Sequence, residues 1–118
     1  LAAFLDKAPK RCRWAVEFRE QDWLCDEVFQ VLKSHNAALC IHDMLEDHPR
    51  LLTADWTYVR FHGDHYSGSY SCQALSFWAG WITDRLAEGS DVYAYFNNDD
   101  HGYAVKNALD LRRYVLGE

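Results

Sequence analysis

The chain has no excess of basic residues, no long apolar run and no close pair of cysteines, and each absence removes a class of function. Lys and Arg number 12 against 18 Asp and Glu, a net charge of −6. Binding a polyanion requires clustered cations that release counterions. Nucleic acid is therefore not an expected partner, although a local basic pocket stays possible on this balance. The apolar stretches are broken by charge well short of the ~18 residues that a membrane span needs, so no membrane partner is expected. Leu1-Ala-Ala-Phe-Leu5 meets Asp6 with no basic region before it, unlike a secretory leader. Cys12, Cys25, Cys40 and Cys72 are far apart, with no C-x-x-C pair. That spacing fits neither a zinc ribbon nor a disulfide framework, and predicts small buried thiols in the reducing cytoplasm. G-x-S-x-G, P-loop, G-x-G-x-x-G and H-E-x-x-H signatures are all missing, and no cofactor is expected.

What is present is a repeating alternation of strand, loop and helix. Hydrophobic residues make up 49% and charged residues 25% of the 118 positions, ordinary for a globular chain, while the 15% of aromatic residues is high. Strands are predicted over Arg13 to Arg19, Ala37 to His42, Trp56 to His62 and Asp91 to Asn97. Helices are predicted over Asp26 to Ser34, Gln73 to Glu88 and Gly102 to Leu116. The second of these has Leu75, Trp78, Ala79, Ile82 and Leu86 at helical spacing and Gly89 as its stop. The last is expected to turn Val105, Ala108, Leu109 and Val115 inward, with Asp99 or Asp100 as its N-cap. Only the second and third strands lack a helix between them, since residues 44 to 54 are short and broken by Pro49. Leu1 to Lys7 looks like the tail of a preceding helix, and the chain starts on Leu. Residues 1 to 118 are accordingly expected to be a C-terminal excerpt of one larger domain.

Alternation within the strands sets the architecture. Trp14, Val16 and Phe18 share one face of the first strand, opposite Ala15, Glu17 and Arg19. Thr57, Val59 and Phe61 oppose Tyr58, Arg60 and His62, and Val92, Ala94 and Phe96 oppose Tyr93, Tyr95 and Asn97. An open doubly wound sheet buries both faces and reads as continuous apolar runs. Here one face is apolar, and the other grows more polar toward the strand C-termini. The pattern predicts an α/β fold of parallel (β/α) units, half of a TIM-like (β/α)8 barrel whose interior opens into a site at its C-terminal mouth. A whole barrel takes ~250 residues. A lone half leaves two strand edges open, so the expected partner is a missing N-terminal half or a second copy.

The residues that build these strands also resemble a known family. Glu17-Phe18-Arg19 with Trp23, His35 to Cys40, Thr53 to Gly63, Tyr66-Ser67-Gly68-Ser69-Tyr70, Tyr93 to Asp99 and Asn107-Ala108 together resemble the YecE-like family, domain of unknown function seventy-two. The resemblance runs in order over nearly the whole chain. It departs at Glu20-Gln21-Asp22, where members tend to carry His and Pro after the arginine. It implies a TIM-barrel-like fold, of which this is strands five to eight, and implies no established activity.

Glu17, Arg19, Arg60, His62 and Asn97 are the main candidates, since all fall at strand C-terminal ends on the lumen face. Two guanidinium forks suit a carboxylate or phosphate. His62 suits proton transfer near neutral pH, and Glu17 beside cations is expected to stay ionised as a base or orienting group. The plainer reading is a buried ion-pair network that fills the barrel. Gly63, Ser67 and Gly68, in the loop after the third strand, are placed to bind an anion through backbone N–H groups, or else only to turn the chain and cap the next helix. Asn97 in the last loop points into the mouth and is a candidate for reading hydroxyls, with Asn98 beside it as a further ligand-binding candidate. Tyr95, the other inward tyrosines and Trp56 either pack the barrel or stack on a sugar or base, with Tyr95 the ligand-binding candidate among them. Asp43, which ends the second strand beside His42, is a further ligand-binding candidate. His42, Asp43, His62, Asp64, His65 and Glu17 offer metal-binding atoms but no tight ligand motif, and no metal is expected. Three functions remain open: an enzyme acting on a small anionic or sugar-like ligand, a binding protein without chemistry, and a metal-dependent hydrolase, nuclease or isomerase resting on fold analogy alone.

Overall fold

The computed structural model describes residues 1–64 and 66–117. The elements run α1 (Ala2–Lys7), β1 (Ala15–Val16), α2 (Asp26–Ser34), β2 (Ala38–His42), β3 (Trp56–Phe61), α3 (Cys72–Ala87), β4 (Asp91–Phe96) and α4 (Tyr103–Leu116). One-turn 3-10 helices at Gln21–Trp23 and Asp100–Gly102 lie in the first and last loops. The strands form one sheet in the order β1-β2-β3-β4, all pairs parallel. The architecture is the α/β half of a TIM-like barrel that strand parity predicts.

Helix ends follow from local chemistry. Ser71 caps α3, its hydroxyl accepting from the Ala74 N–H at 3.1 Å. At the other end Gly89 takes φ 90, which lets its N–H reach the Leu86 carbonyl and the Ser90 N–H reach that of Arg85, both at 3.0 Å. This is the left-handed finish that glycine favours. Asn36, at φ 51, ends α2 in the same way, with the Asn36 and Ala37 N–H groups on the Lys33 and Leu32 carbonyls. Its side chain then exchanges two hydrogen bonds with Asp55, the residue before β3, each 3.0 Å. No helix forms between β2 and β3, as expected. Thr53 fastens that connection by donating to the Ala37 carbonyl at 2.7 Å and accepting from the Leu39 N–H at 2.9 Å.

The apolar sheet face packs under the helices. Ile41, Val59, Phe61, Leu75, Ile82 and Leu111 form one buried cluster, and Leu5, Phe18, Phe29, Leu32 and Leu39 form a second around α2. Burying such side chains contributes about 1.5–3 kcal/mol each. The opposite face carries Tyr58, Arg60, Tyr93 and Tyr95 toward the open lumen, with Tyr93 and Tyr95 exposed.

Four expectations need correction. β1 is two residues long instead of seven, because only Ala15 and Val16 pair with β2, opposite Ala38 and Leu39. In α4 Val105 and Leu109 are 67% and 58% exposed and Ala108 is exposed too; the buried stripe is Ala104, Asn107 and Leu111. A polar residue, Asn107, occupies the inner face because neighbouring amides need its carbonyl, and this disguises the stripe. Neither Asp99 nor Asp100 caps α4, whose N-cap is Gly102 at φ 72. Of the cysteines only Cys40 is buried; Cys12, Cys25 and Cys72 are exposed, and all four are unpaired thiols.

Gly63 takes φ +72 and packs so closely that an added Cβ would meet the Ser67 carbonyl oxygen and lie 2.8 Å from the Asn98 Cβ. Gly63→Ala is expected to lower unfolding stability by roughly 2–4 kcal/mol in urea denaturation, combining left-handed strain with overpacking. Gly68→Ala, at φ +82 but in open space, should lose only roughly 1–2 kcal/mol.

Candidate functional site

Parallel register brings lumen-side residues into tiers. Cys40, Tyr58 and Tyr93 share one tier, and His42, Arg60 and Tyr95 the next toward the strand C-termini. Glu17, just past β1, sits at the centre. Its Oε2 accepts from Arg19 Nε, and its Oε1 accepts from Arg60 Nη1 at 3.1 Å and lies 3.4 Å from His62 Nε2. Arg60 Nε in turn donates to Asn97 Oδ1 at 2.7 Å. The five residues singled out by parity therefore form one connected cluster drawn from three strands.

Burial opposes ionisation of Glu17, but the hydrogen bonds and charges of Arg19 and Arg60 win and hold its pKa down to about 2. His62 is fully buried; desolvation first and the Arg60 guanidinium second push its pKa below the ordinary value, so it is neutral at pH 7. An ionised carboxylate can only accept, so His62 carries its proton on Nε2 toward Glu17. Its Nδ1 is then a bare acceptor, buried and unpartnered among the described residues. Cys40 places its thiol 3.6 Å from Glu17 Oε1, and burial followed by that negative charge pushes its pKa up to about 12. It is no nucleophile at neutral pH.

The other candidates fall into a separate scaffold. Asp43 Oδ1 accepts from the His62 backbone N–H at 2.8 Å, while Oδ2 accepts from the Tyr70 hydroxyl. That hydroxyl also accepts from the Gly63 N–H at 2.8 Å. Asp64 and Ser67 exchange backbone bonds of 2.9 and 3.0 Å, and the Gly68 N–H donates to Asp100 Oδ1 at 3.0 Å. Buried Asn98 donates to the Gly68 carbonyl and to Asn107 Oδ1, both at 2.8 Å, and Asn107 Oδ1 also accepts from the Tyr70 N–H at 3.1 Å. The loop's N–H groups at Gly63, Asp64, Ser67, Gly68 and Tyr70 thus already have partners inside the protein. Tyr95 stands in the lumen, stacked on Tyr58 with centroids 5.0 Å apart.

Among metal-ligand candidates, His42 is tied up by the Phe18 carbonyl at 2.7 Å and the Met44 N–H at 3.2 Å. His65 lies outside the described residues. Among those described, no group of three or more His, Cys, Asp or Glu side chains converges as a metal would require. From the sequence, Cys40 stands only as a buried thiol, and Tyr70 and Asn107 only among the residues of the family resemblance, with no place for any of them in the site. The parity of β2 could have revealed Cys40. Tyr70 and Asn107 act through folded loops and leave no periodic signal.

The profile of the family described as protein of unknown function DUF72 matches residues 1–117. The chain belongs to the DUF72 family. Among solved structures this DUF72 chain is similar to a family member from Thermotoga maritima, at 26% identity and a TM-score of 0.83 over 98% of the chain and 49% of that protein. It is also similar in fold to a DUF72 protein from Enterococcus faecalis, at 21% identity and a TM-score of 0.79 over 98% of the chain and 52% of that protein. The chain thus spans about half the length of these solved relatives. No curated protein matches it. No described helix is long and apolar enough to cross a membrane.

A carboxylate held near pKa 2 adds stability that is complete above its ordinary pKa of 4.5 and lost as pH falls through the window between the two. The stability difference between the parent chain and Glu17→Gln should therefore be greatest above pH 4.5 and shrink toward pH 2. Chemical denaturation at stepped pH reads this, and a difference that stays constant with pH would contradict the ion-pair geometry.

Proposed function

We propose that the lumen face at the strand C-termini binds a small anionic ligand, with Arg60 and Arg19 as its guanidinium clamp. The observation that carries this reading is the Glu17 cluster itself. Assembling a carboxylate, two guanidinium groups and a neutral histidine in a half-buried hollow is neutral at best for stability, and such clusters concentrate at functional sites. Arg60 uses Nε on Asn97 and Nη1 on Glu17, and its Nη2 has no hydrogen-bond partner among the described residues. That donor is the natural first contact for a carboxylate or phosphate.

In an enzymatic version of this reading, His62 is the better proton carrier. A base at pKa about 2 is poorly matched to neutral pH, so Glu17 orients His62 and fixes its tautomer. The same low proton affinity equally favours a purely ligand-binding role, in which the cluster sets charge and shape without chemistry. Asp43 joins as a positioning group, because it holds the His62 backbone through its N–H.

Calorimetric titration of the full chain with inorganic phosphate and with malonate tests the clamp. Arg60→Gln should weaken binding roughly tenfold to a hundredfold, the equivalent of ~1.5–3 kcal/mol for a hydrogen bond to a charged group. Unaltered binding in that variant, or no binding of either anion to the parent chain, would sink the reading.

The lumen is closed in this reading by further (β/α) units, from an N-terminal half or a second copy, because β1 and β4 each pair on one side only. Light scattering of the purified chain should report self-association. A monodisperse, cooperatively folding monomer would count against it.

A further inference from the structure

Below the charged cluster the lumen holds polar groups that have no partner among the described residues. The hollow has a volume of about 510 Å³ and is lined by Glu17 and Arg60 at one end and by Tyr58, Tyr95 and Trp56 along its wall and floor. Trp56 is 3% exposed, and its indole N–H is buried with no acceptor among the described residues. A buried donor without a partner costs about 1–3 kcal/mol, so an orphan of this kind points to an acceptor that arrives from elsewhere. Tyr58 and Tyr95 stack with an interplanar angle of 23°. One face of each ring is used in that contact, and neither phenol hydroxyl has a hydrogen-bond partner among the described residues. By contrast Tyr93, their neighbour, is already engaged by Arg13 Nη1 at 3.1 Å.

The spacing of these groups suits one extended ligand. Trp56, Tyr58 and Arg60 are successive lumen-side residues of β3, so each stands ~6.6 Å from the next along the strand. Tyr95 lies in register with Arg60 on the adjacent strand. A molecule anchored at Arg60 and lying along β3 meets two hydroxyls first and the indole N–H last. An unadorned anion would use the top of this hollow and leave the rest unmatched. A flat apolar ring would cover the hydroxyls without satisfying them.

We infer that the ligand is a polyhydroxylated anion, a sugar phosphate or sugar acid, with its charged end at Arg60 and its hydroxyls read by Tyr58, Tyr95 and Trp56. This rests on the anion-clamp reading above and extends it to the neutral part of the ligand. Hydroxyl groups both donate and accept, which is what an indole N–H beside two phenols requires. A site built to hydrogen-bond hydroxyls discriminates strongly against analogues that lack them.

Titration of the full chain with inorganic phosphate, glucose 6-phosphate and gluconate separates the two ideas. Glucose 6-phosphate or gluconate should bind at least about tenfold tighter than phosphate, and which of them does so identifies the anion. Tyr58→Phe, which removes one hydroxyl and keeps the ring, should weaken the polyhydroxylated ligand about fivefold to tenfold and leave phosphate unchanged. Tyr95→Phe, at a 48% exposed position that tolerates substitution, should act in the same direction. Phosphate binding with no gain from the hydroxyls, or no effect of either Phe variant, would overturn this inference and leave the clamp standing. Failure of all three ligands to bind would overturn both.

Discussion

Glu17 joins the strands at the point where the sheet is weakest. β1 contributes only two residues to its ladder, yet the carboxylate that follows it is tied to Arg19 on its own segment and to Arg60 on β3, which in turn grips Asn97 after β4. One carboxylate thus bridges the sheet from edge to edge, replacing backbone pairing that β1 lacks. The arrangement depends on charge: an uncharged side chain at position 17 would leave two guanidinium groups facing each other across a partly buried hollow. The same ionisation orients the Nε2 proton of His62, while burial first and the Glu17 charge second raise the Cys40 thiol.

Around it, a closely matched hydrogen-bond shell lies beside a less matched lumen face. The Asn98–Asn107–Gly68 network and the Asp43–Tyr70–Gly63 contacts form a shell whose donors are nearly all matched within the protein. Such a shell holds loops rigidly, because each buried amide that lost its partner would be left costly and unpaired. The lumen face is less matched, with the Trp56 indole N–H and His62 Nδ1 both buried and unpartnered among the described residues. The division is not complete, since Asn98 Oδ1 within the shell is also buried without a partner among the described residues.

Much of this was readable from the residues because it follows a period of two. The alternation in Thr57 to His62 and Val92 to Asn97 was enough to place Arg60, His62, Tyr95 and Asn97 on one side, and the structure brings the first two together with Glu17. Helix α3 was legible for a similar reason, with a strong apolar stripe, a serine cap and a glycine stop. Features that depend on tertiary pairing were not. Asn107 lies inward because it accepts from Tyr70 and Asn98, so an apolar stripe read through Val105 and Leu109 chose the wrong face of α4. Asp100 resembled a helix cap, yet it serves the Gly68 N–H across the gap between loops. The anion loop looked open because glycine and serine leave room, whereas its N–H groups already have partners within the fold.

The pair of clasps around the connection from β2 to β3 has a mechanical consequence. Asn36 grips Asp55, and Thr53 grips the start of β2, so both ends of the crossing are set independently of what lies between. The segment between the clasps leans on the body too: the Met44 N–H donates to His42 Nδ1 at 3.2 Å, His48 packs on His42 with ring centroids 4.4 Å apart, and the Arg50 guanidinium lies over Phe77. A change in residues 44 to 52 is therefore felt at His42 and at α3, while the clasps hold the start of β3 beside β2.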